Sequence, residues 1–138
     1  MAVGLKTGPI FYTVGTGSFM HAFFSTVAYH LEGQKWGSKF PILMNQLYSG
    51  EIQPEESKIA LDEIKMIVKG LSELKPDQVI WDIEDLKKQP PWGNNIAHTI
   101  TNMANYFVTS DGKPLLEVFE TALQTSIAVK KTIKIHQL

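Results

Sequence analysis

The stretch IFYTVGTGSFMHAFFSTVAYHL, residues 10–31, joins a strand pattern to a helix pattern within one short segment. Its β-branched and aromatic beginning predicts a strand over residues 9–14. Glycines then interrupt the run, and Ser18 can cap a helix. The helix is predicted to continue through Leu31, because apolar side chains recur there at every fourth position. Gly33 is a typical residue to end it.

Similar patterns extend in both directions from this segment. Strands are predicted at residues 2–6, 78–83, 105–109 and 132–136, and helices at residues 41–48, 54–74 and 114–127, with a weak helix around residues 96–103. We find no repeat and no linker, so we expect one domain over residues 1–138. This order of elements predicts the α+β class: a single, mostly antiparallel sheet of about four to five strands, with three to four helices packed on it.

The composition excludes several classes of protein. The 138 residues carry a formal net charge of −1 and contain no cysteine, which excludes disulfides, thiolate zinc sites and cysteine nucleophiles. The few lysines that cluster form two pairs, at residues 87–88 and 130–131, and no basic stripe, so no nucleic-acid partner is expected. We see neither a signal peptide nor an apolar run long enough for a bilayer. These features lead us to expect a cytoplasmic protein with no membrane partner.

Residues 79–96, VIWDIEDLKKQPPWGNNI, form the most unusual stretch of the chain. They contain two tryptophans, three carboxylates and two consecutive prolines. Tryptophan anchors many protein interfaces, and prolines hold a loop in a preformed shape that reduces the entropy cost of binding. An acidic patch suits a basic partner surface, including the substrate groove of a nuclease. We therefore predict a protein-binding loop with these contacts: Asp82, Glu84, Asp85, Trp92, Asn94 and Asn95.

The same residues also permit other interpretations. If Trp81 lies in a strand, its side chain is more readily explained as part of the core than as part of an interface. Trp92 could simply pack the loop against the domain. If the strand continues to Glu84, the carboxylates of Asp82 and Glu84 share one of its faces. They could then hold a hard cation with Asn94 or Asn95, or act with His98 in a small metal-dependent hydrolase. No histidine pair shows the spacing of a helical zinc site, so we predict no metal and no cofactor.

Two further sequence patterns bear on function. The run GTGS, residues 15–18, lies between a strand and a helix, but it lacks the lysine of a phosphate-binding P-loop and the third glycine of a dinucleotide fingerprint. The alternating strand at residues 132–136 could pair between two copies of the chain, which makes a homodimer or an oligomerisation module an open alternative.

Three runs carry a resemblance to a known family: WDIEDL (residues 81–86), PPWGNNI (residues 90–96) and YFVTSDG (residues 106–112). The runs AVGLK (residues 2–6) and WGSKFP (residues 36–41) agree with it. On these motifs the chain resembles the immunity protein 70 family of bacterial polymorphic toxin systems. The resemblance covers nearly the whole chain. It implies a non-enzymatic protein that protects its own cell by binding the C-terminal domain of a cognate toxin, and it supplies no catalytic or cofactor residues.

Overall fold

The computed structural model describes residues 2–91 and 100–137. Within them, four strands form one antiparallel sheet in the order β2-β1-β4-β3: β1 (Ala2–Thr7), β2 (Ile10–Thr16), β3 (Glu51–Ile52) and β4 (Ile133–Gln137). The helices are α1 (Gly17–Leu31), α2 (Pro54–Leu71) and α3 (Leu115–Val129), with a π-helix at Ile42–Leu47 and a 3₁₀ turn at Pro76–Gln78. The predicted α+β class is confirmed.

The strand β1 lies inside the sheet, between β2 and β4. It pairs with β2 through a tight hairpin and with β4 from Val3↔Gln137 to Thr7↔Ile133. Val3, Leu5 and Thr7 are buried, as alternation along a strand requires. Gly4 points to the opposite face, where a Cβ would lie 2.3 Å from the carbonyl oxygen of Tyr12. The strand can approach β2 this closely because that position has no side chain.

The cap of α1 lies two residues before the predicted one, at Thr16 instead of Ser18. The backbone N–H of Phe19 donates to Oγ1 of Thr16 at 3.1 Å, and Thr16 has the extended conformation of a capping residue. Ser18 therefore lies inside the first turn, and its prediction as the cap was wrong. The other end agrees with the sequence, since Gly33 has a φ of +61° just after the helix.

An aromatic cluster joins α1 to α3 and to the chain before α3. The Phe23 ring lies 5.2 Å from that of Phe119 and 5.4 Å from that of Phe107. α2 and α3 pack together and share a buried hydrogen bond between the hydroxyls of Ser57 and Ser126, at 2.9 Å. No helix among the described residues has the length and apolar character needed to cross a membrane.

Residues 78–83 do not form the predicted strand, because their backbone groups bind side chains of α1. His30 Nε2 donates to the carbonyl of Gln78 at 2.7 Å. Thr26 Oγ1 accepts from the N–H of Ile80 at 3.0 Å, and Ser25 Oγ accepts from the N–H of Ile83 at 3.2 Å. The polar residues of this otherwise apolar helix thus supply the partners that a neighbouring strand would have supplied.

Other predicted elements also differ from the structure. Residues 105–109 contribute only a single bridge, Val108↔Pro114, in place of a strand. Most of the weak helix at residues 96–103 lies outside the described residues, and residues 100–103 are not helical. β4 is not an edge strand, since β1 pairs along its whole length and β3 pairs at Ile133 and Lys134. On the side away from β1, residues 135–137 have no partner strand among the described residues.

Candidate functional site

Residues 82–88 form two consecutive turns directly after the segment held by α1. The N–H of Asp85 donates to the carbonyl of Asp82, and the N–H of Lys88 donates to the carbonyl of Asp85, both at 3.1 Å. The Asp82 carboxylate also accepts from the N–H of Glu84 at 2.9 Å, and the Asp85 carboxylate accepts from the N–H of Lys87 at 3.2 Å. These local bonds are typical of Asx-turns and give the loop a defined shape. The side chains of Glu84 and Asp85 remain exposed.

Asp82 joins this loop to α1. Its Oδ1 lies 3.3 Å from His21 Nε2, and its Oδ2 lies 3.4 Å from Lys88 Nζ. The backbone N–H of Glu84 lowers the pKa of Asp82 below its ordinary range, and the contacts with His21 and Lys88 lower it further, against an opposing contribution from burial. Asp82 is therefore ionised at neutral pH, and both its oxygens have partners within the chain.

The ionised carboxylate of Asp82 determines which hydrogen-bonding role the facing nitrogen of His21 has. A carboxylate only accepts hydrogen bonds, so Nε2 of His21 must carry the proton that faces Asp82. In the neutral ring, Nδ1 is then an acceptor, and the hydroxyl of Tyr48 lies 2.6 Å from it. In that tautomer the Tyr48 hydroxyl is the donor, and the hydrogen bonds run from Tyr48 through His21 to Asp82.

Tyr48 keeps its phenolic proton. Burial raises the pKa of Tyr48 above its ordinary value, and the nearby carboxylates of Glu84 and Asp82 raise it further. The phenolate is thus disfavoured at physiological pH. The residue is 38% exposed, so part of it borders solvent.

Trp36 completes the aromatic surface beside Tyr48. Its ring centroid lies 4.9 Å from that of Tyr48 and 6.0 Å from that of His21, on which it stacks. The indole N–H of Trp36 donates to the carbonyl of Met44 at 2.7 Å, which fixes the ring to the π-helix. The rotation of both large rings is therefore restricted before any partner arrives.

Two buried carboxylates hold the segment that carries Trp36 and Tyr48. Glu32, 5% exposed, accepts hydrogen bonds from three backbone N–H groups at distances of 2.8–3.0 Å: those of Gly37, Lys39 and Phe40. Glu63, 4% exposed, accepts from the N–H groups that open the π-helix, those of Ile42 and Leu43. Burial raises the pKa of Glu63 above its ordinary value.

A small open cavity of about 210 Å³ lies beside this network, lined by Gly17, Ser18, His21, Trp81, Asp82 and Lys88. The first turn of α1 borders it, and such a turn favours anions. The ionised carboxylate of Asp82 also lines the cavity and opposes an anion there. Lys88, which also lines the cavity, pairs with this carboxylate.

A family model described as immunity protein 70 matches residues 5–135 of the chain. The chain belongs to the immunity protein 70 family. No curated protein and no solved structure is significantly similar to it. The matched residues include the whole network from His21 to Lys88, so the site lies within the part of the chain that this family shares.

In this immunity protein 70 family member, the residues predicted to contact a partner differ in how exposed they are. Glu84 and Asp85 are exposed on the turns, whereas the side chain of Asp82 is only 18% exposed and is engaged by His21 and Lys88. Trp81 is half-buried against the core, although it is not in a strand. The remaining predicted site residues lie outside the described part of the chain: Trp92, Asn94, Asn95 and His98.

Sequence reasoning missed His21, Trp36 and Tyr48. They reach Asp82 from 61, 46 and 34 positions away in the sequence, and no local spacing rule joins residues so far apart. The sequence of α1 nevertheless contained one indication of this site. His21, Ser25, Thr26 and His30 interrupt an apolar helix, which indicates that a polar segment packs on it.

Tyr48 is protonated, and both ring nitrogens of His21 have hydrogen-bond partners, Tyr48 and Asp82. Across residues 2–91 and 100–137 of this family member, no three His, Asp or Glu side chains come together as metal ligands. The described part of the site consists of packed aromatic rings next to a loop with the exposed carboxylates of Glu84 and Asp85.

Proposed function

We propose that the chain is an immunity protein that binds a cognate bacterial polymorphic toxin domain and neutralises it by protein–protein interaction, without catalysis. Membership of the immunity protein 70 family is the observation that carries this proposal. The geometry agrees with it, because the exposed acids lie on a loop shaped by its own hydrogen bonds. A preformed loop loses little entropy on binding.

In this proposal the contacts are Glu84, Asp85, Trp92, Asn94 and Asn95. Asp82 does not contact the toxin in this proposal. Its carboxylate instead holds the turn and the His21 ring in place. Trp92 is the anchor, and the exposed acids steer the encounter with a basic toxin surface. If the toxin is a nuclease, these acids occupy the place of substrate phosphates.

Co-expression tests the proposal. Where the adjacent reading frame encodes a large exported protein, the C-terminal domain of that protein is the probe. Cells that produce this domain alone should stop growing, and cells that also produce the immunity chain should grow. The two purified proteins should elute together on size exclusion. Normal growth inhibition and separate elution in the presence of the folded chain would contradict the proposal.

Charge reversal at the loop tests the role of the acids. In the double variant Glu84→Lys with Asp85→Lys, association with the toxin domain should slow by about 10-fold or more at low salt, because electrostatic steering is reversed. The salt dependence of the association rate should also weaken. Stopped-flow mixing at several salt concentrations measures both.

The matched control is Asp62→Lys with Glu73→Lys, which makes the same change in net charge at exposed positions on and just after α2. This variant should associate at a rate much closer to that of the unmodified chain. Equal slowing in both variants would indicate an effect of net charge alone and would remove the loop from the interface.

A further inference from the structure

The two outer strands of the sheet differ in how they are protected against pairing with another chain. On one side, β3 is only two residues long and carries the exposed residue Glu51. On the other side, β2 runs for seven residues, IFYTVGT, without a charged side chain or a proline. Short strands, charges and prolines are the usual protection of a sheet edge, because unpaired backbone groups can bind a further strand. β2 has none of these three.

The free backbone groups of β2 belong to Phe11 and Thr13. A two-residue hairpin closes with a hydrogen-bonded pair, here Thr7↔Ile10, and bonded and non-bonded pairs then alternate along the ladder. Phe11 and Thr13 are in the non-bonded pairs. Their N–H and C=O groups therefore point away from β1, toward the open edge of the sheet.

Only the far end of this edge is covered. Among the described residues, the outer side of β2 receives one backbone hydrogen bond, from the N–H of Ser110 to the carbonyl of Val14 at 2.9 Å. Val14 is the extra residue of the bulge in the β1–β2 ladder. β2 is also held in place, since the Tyr12 hydroxyl lies 2.9 Å from Oγ1 of Thr125 on α3. A strand that is already fixed loses little entropy when another chain pairs with it.

A mostly apolar cavity of about 180 Å³ lies beside the covered end of the edge, lined by Val14, Gly15, Thr16, Phe19, Val108 and Ser110. Val108 is 42% exposed, so the cavity has an apolar wall at the surface. Where a peptide adds to a sheet edge, backbone hydrogen bonds supply affinity and pockets for individual side chains supply specificity. β2 thus has both parts of such a site next to each other.

Building on the proposed function, we infer that an extended segment of the toxin adds to the sheet at β2 and places an apolar side chain in this cavity. The backbone of the segment pairs with the free N–H and C=O groups of β2. The cavity extends to Thr16, and the next residue, Gly17, lines the second cavity, the one beside Asp82. The edge is therefore continuous with the surface around the acidic loop, and both belong to one proposed interface.

A second copy of the chain fits this edge less well than a toxin segment does. The two-fold pairing of β2 with itself that uses all four free groups sets Phe11 of each copy opposite Thr13 of the other. The next pair would place Ile10 of the second copy opposite Val14, whose carbonyl Ser110 already binds. A toxin segment has no such constraint, because it can end before Ser110.

Amide hydrogen exchange tests the inference in the complex with the toxin domain. The amides of Phe11 and Thr13 should exchange at least about 10-fold more slowly in the complex than in the free chain, because a hydrogen bond to the added strand protects them. Unchanged exchange at both amides, in a complex that does form, would overturn the inference while the proposed function stands.

Two variants test the cavity and the backbone separately. Val108→Lys gives the cavity wall a charged side chain and should weaken toxin binding about 10-fold or more. Val129→Lys, the same change at a similarly exposed position at the end of α3, is the control and should bind within about 2-fold of the unmodified chain. Thr13→Pro removes an outer N–H donor while the bonds to β1 remain, and it should also weaken binding if its thermal transition is preserved. Binding by Val108→Lys as tight as that of its control would contradict the inference.

A toxin-free measurement separates the inference from the proposed function. A capped peptide of alternating valine and threonine, and a matched peptide with proline in place of valine, are titrated into the full chain, and the amide NMR signals of Phe11 and Thr13 are followed. Larger shifts with the valine peptide, reduced in Val108→Lys, support strand addition whether or not the toxin binds. Shifts that are equal for the two peptides, or unchanged by Val108→Lys, overturn it. A dimer of the free chain that Thr13→Pro converts to a monomer, measured by light scattering, would also overturn it, because the edge would then hold a second copy.

Discussion

Glu63 is a carboxylate with hydrogen bonds but no described cation beside it. It accepts from the N–H groups of Ile42 and Leu43, at 3.3 and 2.9 Å, where the π-helix begins. Burial raises the pKa of Glu63, the two backbone bonds oppose this effect, and the buried charge of Glu32 adds to it. The folded state therefore binds the Glu63 proton more tightly than the unfolded state does.

The sign of the resulting pH dependence follows from this difference. As the pH rises above about 4.3, the ordinary pKa of glutamate, Glu63 loses its proton in the unfolded chain before it does so in the folded chain. The contribution of Glu63 to the free energy of unfolding is then present in full at lower pH and is lost as the pH rises through the raised pKa. Glutamine does not titrate, so in Glu63→Gln this contribution to the pH dependence of the free energy of unfolding should be absent. The stability of the variant relative to the unmodified chain should thus increase from pH 4 to pH 7, as measured by urea unfolding at each pH.

The exposed substitution Glu73→Gln is the control for this series, and its relative stability should stay nearly constant over the same range. A relative stability of Glu63→Gln that falls with pH would show that the backbone bonds outweigh burial at this carboxyl. The sequence alone could not reveal this residue as buried, because glutamate within an amphipathic helix is usually solvated. Its burial follows from the tertiary approach of the π-helix.

At the scale of elements, α1 has two functions: it forms the core and it binds residues 78–83. Thr26 contributes to the second, since its hydroxyl accepts from the N–H of Ile80 and lies 2.9 Å from the carbonyl of Ala22. Thr26→Val keeps the shape of the side chain but leaves the N–H of Ile80 without this acceptor. We expect a loss of about 1–3 kcal/mol in the free energy of unfolding. Urea unfolding measures this loss, and amide exchange should accelerate at Ile80.

Thr121→Val, at an exposed position of α3, is the matched control and should change stability by less than about 0.5 kcal/mol. If Thr26→Val were as stable as this control, water would have to satisfy the N–H of Ile80 equally well. The mechanism by which α1 holds residues 78–83 would then be wrong.

The three long helices could be predicted from the sequence, whereas residues 78–83 and 105–109 were wrongly predicted as strands. α1, α2 and α3 each show apolar residues at helical spacing, and their packing preserves that pattern. Residues 78–83 alternate like a strand, but side chains of α1 take the hydrogen bonds that a sheet would have provided. β3 is only two residues long and carries no detectable periodicity. The acidic loop could be predicted from the local sequence of residues 79–96. Its aromatic neighbours could not, because they come from distant parts of the chain.

At the scale of the whole molecule, β4 connects the ends of the chain. It pairs with β1 from Val3 to Thr7, and it carries β3 on its other side. Ile133 is fully buried in the core. Removing residues 132–138 therefore takes away a ladder of five residue pairs, a buried side chain and the attachment of β3. We expect this truncated chain to lose its cooperative thermal transition, measured by circular dichroism.

A shorter deletion, of residues 137–138 only, is the control and should retain a cooperative transition, because Ile133 and most of the ladder remain. The same pair of variants bears on the alternative of a homodimer. If the chain lacking residues 132–138 stayed folded and eluted as a monomer while the full chain eluted as a dimer, β4 would be the contact between two copies. Because β4 pairs with β1 along its whole length, we expect unfolding instead.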